Sequence, residues 1–177
     1  IIENCEVTAI LRDGDKVTGV ETTRGKILAD KVGMAVAGHT SHVAGLAGMK
    51  LPVESHILQA FVSEPIKPIV HHVVSWGAEL FYMSQSDKGG LVFGGHIDGF
   101  NTYTQRGQFA RTQTVMECIS SLAPFTRRLK LLRQWGGIQD MTPDGSPFIC
   151  KTPIRQLYLN GGWCYQGFKA TPASGYS

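Results

Sequence analysis

Apolar and polar residues alternate in short runs over the first third of the chain, in "CEVTAILR", "KVTGVETT" and "KILADKVGMAVAG". Asp13-Gly14-Asp15 and Arg24-Gly25 stand between them. Such dipeptides between β-branched runs are hairpin punctuation, so a three-stranded β-meander ending at Ala37-Gly38 is expected. "HTSHVAGLAGM" then shows small residues at helical spacing, with Thr40 or Ser41 as the cap of a short helix. Four strand-like stretches follow: "SHILQAFVSE", "IVHHVVSW", "ELFYMSQS" and "GLVFGGHI". Pro65 to Pro68, Gly77 and Asp87 to Gly90 separate them, a spacing that predicts an antiparallel sheet and not βαβ units. From Thr104 to Leu122 the period lengthens, and Phe109, Val115, Met116, Ile119 and Leu122 define one face of an amphipathic helix laid on that sheet. "RQWGGIQDMTPDGSPFI" returns to strand with a Thr-Pro-Asp-Gly turn, "QLYLNGG" is a last buried strand, and "FKATPASG" opens a glycine-flanked turn or helix.

With 177 residues, 42% hydrophobic and 18% charged, the chain can bury a sizeable core. The net charge of +3 is dispersed. The single basic cluster, Arg127, Arg128, Lys130 and Arg133, fits a solvated helix end, so nucleic acid is not an expected partner. Cys5, Cys118, Cys150 and Cys164 stand far apart with no CxxC, which argues against a disulfide framework or a zinc site and for a reducing, cytoplasmic setting. The histidines lack ligand-like spacing. His71 and His72, as neighbours on a strand, would face opposite ways, so no metal is expected. No apolar run approaches the roughly 20 residues of a membrane-spanning helix, and no membrane association is expected. The first residue is not Met, as in a segment of something longer.

The chemistry concentrates in "NGGWCYQGFKATPASG", directly after the apolar Leu157-Tyr158-Leu159. Glycine has no Cβ, so Gly161, Gly162 and Gly167 let main chain approach a planar or charged ligand, with free N–H groups at a helix start facing it. A plain strand-to-helix turn with a surface lysine at Lys169 fits the same residues.

This stretch, together with "RQWGGIQDMTPDGSPFI", "YMSQSDKGGLVFGGHIDGFNTYTQRGQF" and "ADKVGMAVAGHTSHVAGLAGMKLPV", resembles the D-amino-acid-oxidase-like family of FAD enzymes, in its branch of heterotetrameric sarcosine oxidase β subunits. The likeness covers essentially the whole chain. It implies an α+β / α/β fold: part of an FAD-binding Rossmann-like domain with an inserted antiparallel-sheet substrate domain. The implied boundaries are 1–50 for the first FAD-binding part, 51–134 for the substrate domain and 135–177 for the return to the FAD-binding domain. The family's GxGxxG is absent, so the segment by itself is expected to hold flavin weakly or not at all and to be inactive.

By the same resemblance, Ala37, Gly38, Gly161, Gly162, Gly167, Phe168 and Lys169 lie along the FAD, and the main chain of Val7 holds its adenine. Lys169 meets the substrate carboxylate together with an arginine from the N-terminal portion. His96 is the active-site histidine beside the flavin. Val92 replaces an oxygen-activating lysine of the monomeric enzymes, and Gly137 stands where those enzymes attach FAD through cysteine, so FAD is expected to be non-covalent. Cys164-Tyr165-Gln166 departs from the small residues usual there, and its two larger side chains imply either a narrowed substrate pocket or an altered chemistry, which bears on sarcosine as the substrate more than on the reaction class. The implied reaction is oxidation of an N-methyl amino acid by hydride transfer to flavin, giving an imine and then formaldehyde and glycine. FMN and NAD are implied for the parent complex, with FMN anchored upstream of Ile1, and the other subunits of a heterotetramer are the implied partners. Two alternatives stand beside this: a related proline or N-methylglutamate dehydrogenase subunit passing electrons to a partner, and a non-catalytic assembly piece docking through "SEPIKPIVHHVVSW".

Overall fold

A computed structural model describes residues 1–77 and 80–176. The chain divides into two compact units, Ile1–Ser55 with Gln139–Ser177, and His56–Ile138.

In the first unit, β1 (Val7–Asp13), β2 (Lys16–Thr22) and β3 (Gly25–Leu28) form an antiparallel meander with the turns where the sequence places them. The meander stops at Leu28 and not at Ala37-Gly38. The remainder of "KILADKVGMAVAG" forms β4 (Val32–Met34), which leaves the meander and pairs in parallel with β11 (Leu157–Gly161), itself antiparallel to β10 (Phe148–Lys151). Asp30-Lys31 breaks the run, and an apolar strand such as β11 finds more buried partners in β4 than a meander edge provides. A 3-10 turn at Ala37–His39 leads straight into α1 (Thr40–Leu46), whose N-cap is His39. The expected caps serve otherwise: Thr40 Oγ1 donates back to the Ala37 carbonyl at 2.6 Å, and Ser41 Oγ donates to the Val53 carbonyl. At the other end, Gly48 with φ +74° closes the helix, its N–H on Gly45 and the Met49 N–H on Ala44, a Schellman arrangement that a residue with a Cβ adopts at a penalty. Ile10, Val17, Met34, Ala47, Ile154, Leu157 and Leu159 make the core.

The second unit is built on a five-stranded sheet in the order β6-β7-β8-β5-β9, comprising β5 (Glu54–Pro65), β6 (Val74–Trp76), β7 (Phe81–Gln85), β8 (Gly90–Ile97) and β9 (Leu131–Met141). β6 is far shorter than "IVHHVVSW", and His71-His72 lie outside it. Pro65, the last residue of β5, and Pro68 hold residues 66–70 off the ladder, and the Gln85 side chain stands in for a strand. Its Oε1 accepts the Ile69 and Val70 N–H groups, and its Nε2 donates to the Ile66, Lys67 and Gly89 carbonyls. Glu79, the first residue of "ELFYMSQS", lies outside the described residues.

α2 covers Phe109–Leu122 and begins five residues later than expected. Thr102 and Thr104 hydroxyls accept the Thr104 and Arg106 N–H groups, local turns that compete with helix. Val115, Cys118 and Ile119 pack on Phe61, Phe81, Met83, Leu91 and Phe93. Phe109 is exposed, contrary to the sequence pattern, because six residues at about 100° each set it about 120° around from Val115. Leu122, at the helix end, is exposed too. Phe61 and Phe93, opposite each other on β5 and β8, stack with centroids 5.5 Å apart. α3 (Gly167–Tyr176) belongs to the first unit and buries none of its residues.

Candidate functional site

In the first unit the parallel pairing of β4 with β11 aligns two strand ends. Val32, Gly33 and Met34 lie opposite Leu157, Tyr158 and Leu159, so Ala37-Gly38 and Gly161-Gly162 both follow carboxyl ends of adjacent strands, where ligands of α/β sheets sit. The approach is close. A Cβ added at Gly161 would meet Thr40 Oγ1 at 2.7 Å, and one at Gly162 would meet Thr142 Cγ2 at 2.6 Å. The buried Gly38 carbonyl accepts Ser55 Oγ at 2.6 Å.

Asp140, which sequence reasoning did not single out, organises this turn. Its carboxylate is buried and accepts the Gly162 N–H at 2.5 Å, and its carbonyl accepts the Cys164 N–H at 3.1 Å. Nothing in "GGIQDM" marked it, since its importance comes from a partner 22 positions later. Cys164 is buried and its Sγ accepts the Thr142 N–H at 3.4 Å, a packing position. Trp163 Nε1 donates to Asn160 Oδ1 at 2.6 Å, and the Gln166 N–H is taken by the Trp163 carbonyl. The main-chain N–H of Gln166 is therefore not left for a ligand. Burial raises the Tyr165 phenol above its ordinary range, with Cys164 adding to the effect.

Phe168 and Lys169 stand exposed in the first turn of α3. That turn contains no acidic residue, and a lysine there has the wrong sign for the helix dipole, so local helix stability does not explain it. Val7 lies on β1, partly buried against the core, in a different sheet from the one that delivers Gly38 and Gly161.

In the second unit His96 is the extra residue of a β-bulge. Gln59 pairs with Gly95 and Leu58 with Ile97, which leaves His96 unmatched on β8 with φ +54°. Bulges of this kind re-aim a side chain. Gly95 permits it: its φ is +150°, and a Cβ there would lie 2.2 Å from the Leu80 carbonyl oxygen. His96 Nε2 is buried and has no hydrogen-bond partner among the described residues. Phe81 and Met83 point into the core, so Tyr82 lies on the opposite sheet face with Gly94 and Val92. Tyr82 lies directly over Gly94, where a Cβ would come within 2.8 Å of its hydroxyl oxygen, and burial raises its phenol above the ordinary range. Sequence reasoning missed Tyr82; the two glycines inside the strand "VFGGHI" were the available sign of a side chain lying across it. Val92 is partly buried between Val62 and Ser84, and space is open around Gly137.

Six non-glycine residues with positive φ occur among the described residues, and four of them are Ala37, Leu80, His96 and Cys164. Strain of this kind gathers where geometry serves a ligand. The described residues contain no group of three or more His, Cys, Asp or Glu side chains able to hold a metal, and no helix among them is long and apolar enough to cross a membrane.

Adjacent strand ends carrying closely packed glycine backbone are the arrangement of a dinucleotide-cofactor site in an α/β protein. The chain belongs to the FAD dependent oxidoreductase family, whose model matches residues 1–176. It is 59% identical to sarcosine oxidase subunit beta of Rhizobium meliloti over 99% of this chain and 42% of that protein. It is 51% identical to the same subunit of an Arthrobacter species over 100% of this chain and 44% of that protein. It thus spans less than half the length of these relatives. Among solved structures, the L-proline dehydrogenase of P. horikoshii superposes with a TM-score of 0.88 at 28% identity, covering 98% of this chain and 48% of that one. The glycine oxidase of Geobacillus kaustophilus shares the fold, with a TM-score of 0.87 at 21% identity over 99% of this chain and 47% of that one.

Proposed function

We propose that the chain is part of a β-type subunit of an FAD-dependent amine oxidoreductase that oxidises an N-methyl amino acid of the sarcosine type. The observation that carries this reading is the alignment of Ala37-Gly38 and Gly161-Gly162 at the carboxyl ends of β4 and β11, with the glycine backbone packed so closely on Thr40 and Thr142 that no Cβ fits. The chain's identity of 59% to a sarcosine oxidase subunit supports the substrate class. On this reading Ile1–Ser55 with Gln139–Ser177 hold FAD without a covalent bond, and His56–Ile138 face the substrate. The names of the relatives, as subunits, support partner subunits in the working enzyme. FMN and NAD are assigned to the parent complex and not to these residues.

FAD, when bound, supplies the two-electron acceptor for the hydride leaving the N-methyl carbon. The chain's own residues bind and orient. The Lys169 ammonium pairs with the substrate carboxylate, and the free N–H groups of the first turn of α3 add partial positive charge beside it. His96 offers its unpartnered Nε2 to the substrate amine, and a hydrogen bond there satisfies an otherwise orphaned buried group. Tyr82 excludes water from the sheet face it covers. Hydrolysis of the imine product yields formaldehyde and glycine.

A second reading, in which electrons pass to a partner and not to oxygen, is favoured by Val92, an uncharged residue wedged between Val62 and Ser84. Peroxide yield against reduction of a dye acceptor separates the two. The primary test is anaerobic titration of the full-length flavoprotein with sarcosine, beside Lys169→Ala. Bleaching of the flavin in the native protein, at far lower sarcosine than in the variant, is the expected result; absence of bleaching by any N-methyl amino acid refutes the substrate class.

A further inference from the structure

His96 is held in a conformation that histidine does not favour. Its φ of +54° lies in the left-handed region, and its Nε2 is buried without a hydrogen bond, and both features raise its energy. A strained residue persists only where its surroundings over-determine it. On one side the tether is plain: the His96 N–H donates to the Leu80 carbonyl at 3.1 Å.

On the other side stands Asp98, two residues on, which is tied down from three directions. Its N–H donates to the Ile57 carbonyl of β5 at 3.0 Å, and its carbonyl faces His56 Nδ1 at 2.7 Å. Its carboxylate is fully buried, with Oδ1 4.0 Å from Nε of Arg111 on α2. Neither carboxylate oxygen accepts a hydrogen bond among the described residues. A carboxylate so placed is a poor way to stabilise a fold, because its desolvation is offset only by a long ion pair and the nearby His56. Burial accordingly pushes its carboxyl above the usual range, against the opposing pull of Arg111 and His56. What the arrangement does provide is location. The end of β8 is anchored to the neighbouring strand through its backbone and to the covering helix through charge, immediately after the bulge.

We propose that Asp98 is the positioning residue for His96: its buried carboxylate, paired with Arg111 on the covering helix, clamps a strand end whose backbone is already held by Ile57 and His56, and so keeps the bulge from relaxing into regular pairing. The inference rests on the role given to His96 above. Asp98 touches no reacting atom in this account and acts through the backbone.

The test uses the full-length flavoprotein with its partner subunits, as Asp98→Asn, His96→Gln and the double variant. The first readout is the crystal structure of the Asp98→Asn enzyme. Departure of residue 96 from positive φ is expected, and an intact bulge overturns the proposal whatever the kinetics. The second readout is the limiting rate of flavin reduction at saturating sarcosine. Asp98→Asn is expected to lower it by up to about 100-fold, the effect of misplacing a positioned group by about 1 Å. The same change made on His96→Gln is expected to have no further effect. Equal losses in both backgrounds show that Asp98 does not work through His96 and overturn the proposal. If the bulge relaxes in Asp98→Asn while His96→Gln leaves reduction at its native rate, the positioning role stands and the catalytic reading of His96 is the part that fails. Because Asn preserves the shape of Asp, flavin content and thermal midpoint are measured alongside, and a kinetic loss that merely tracks lost flavin counts against the proposal.

Discussion

Replacing Asp140 tests whether the glycine turn is held by one buried carboxylate. The Oδ2 to Gly162 N–H contact of 2.5 Å is charge-assisted and buried at both ends, in a class worth about 1.5–3 kcal/mol. Asp140→Ala removes it and leaves the Gly162 N–H without an acceptor, a penalty of about 1–3 kcal/mol that overlaps the first, so a total loss of about 2–4 kcal/mol is expected. Asp140→Asn keeps an oxygen in place but not the charge, and the difference between charged and neutral bonds sets its loss at about 1 kcal/mol. The assay is urea denaturation of the full-length flavoprotein followed by tryptophan and flavin fluorescence, with retained FAD measured after gel filtration. The alanine variant should unfold earliest and lose flavin most readily, with asparagine between it and the native protein. A loss below about 0.5 kcal/mol for alanine, within the range of ordinary surface changes, would refute the claim that this carboxylate sets the turn.

Three further predictions follow from the same geometry. Gly95→Ala places a Cβ 2.2 Å from the Leu80 carbonyl oxygen and 2.9 Å from Phe81 Cα, backbone atoms that cannot swing aside, so a loss of about 3 kcal/mol or more is expected, and normal expression with an unchanged melting temperature would contradict it. Lys169→Glu corrects the charge in the first turn of α3 and should raise stability by about 0.3–1 kcal/mol while abolishing tight sarcosine binding; a variant that loses stability along with affinity argues that the lysine is structural. The raised carboxyl of Asp98 means that the folded chain binds a proton there more readily than the unfolded chain. Stability contributed by this group is therefore full below the ordinary aspartate value of about 3.9 and declines as pH rises from there toward the raised folded value. Urea midpoints measured from pH 3 to pH 7 should show that decline in the native protein and not in Asp98→Asn, and parallel pH profiles would refute it.

Elements with local causes were legible in the sequence. Asp13-Gly14-Asp15 marked the first hairpin, strand-like runs set off by proline and glycine punctuation marked β5, β7 and β8, and Thr142 to Gly145 marked the turn before β10. What escaped depended on distant partners. β4 looked like part of a meander because its true neighbour, β11, is far along the chain. Ile69 and Val70 looked like strand because no local signal announces that one glutamine side chain, Gln85, will accept their N–H groups. The candidate site divides the same way. Gly161, Gly162, Lys169 and His96 stood out as residue types in a pattern, whereas Asp140, Tyr82 and Asp98 matter through contacts across the fold that no local spacing encodes.

The parallel pairing of Val32 to Met34 with Leu157 to Leu159 also sets an order of assembly. The two strands are separated by roughly 125 residues, so their meeting closes a long loop, a slow and entropically opposed step whose penalty shrinks once part of the intervening chain is already compact. His56–Ile138 form a contiguous compact unit inside that loop and can fold as soon as they have been synthesised. On the ribosome, the Gly161-Gly162 turn is the late event that completes the pair of strand ends, so a flavin pulse during synthesis should be captured only by chains extended past that turn.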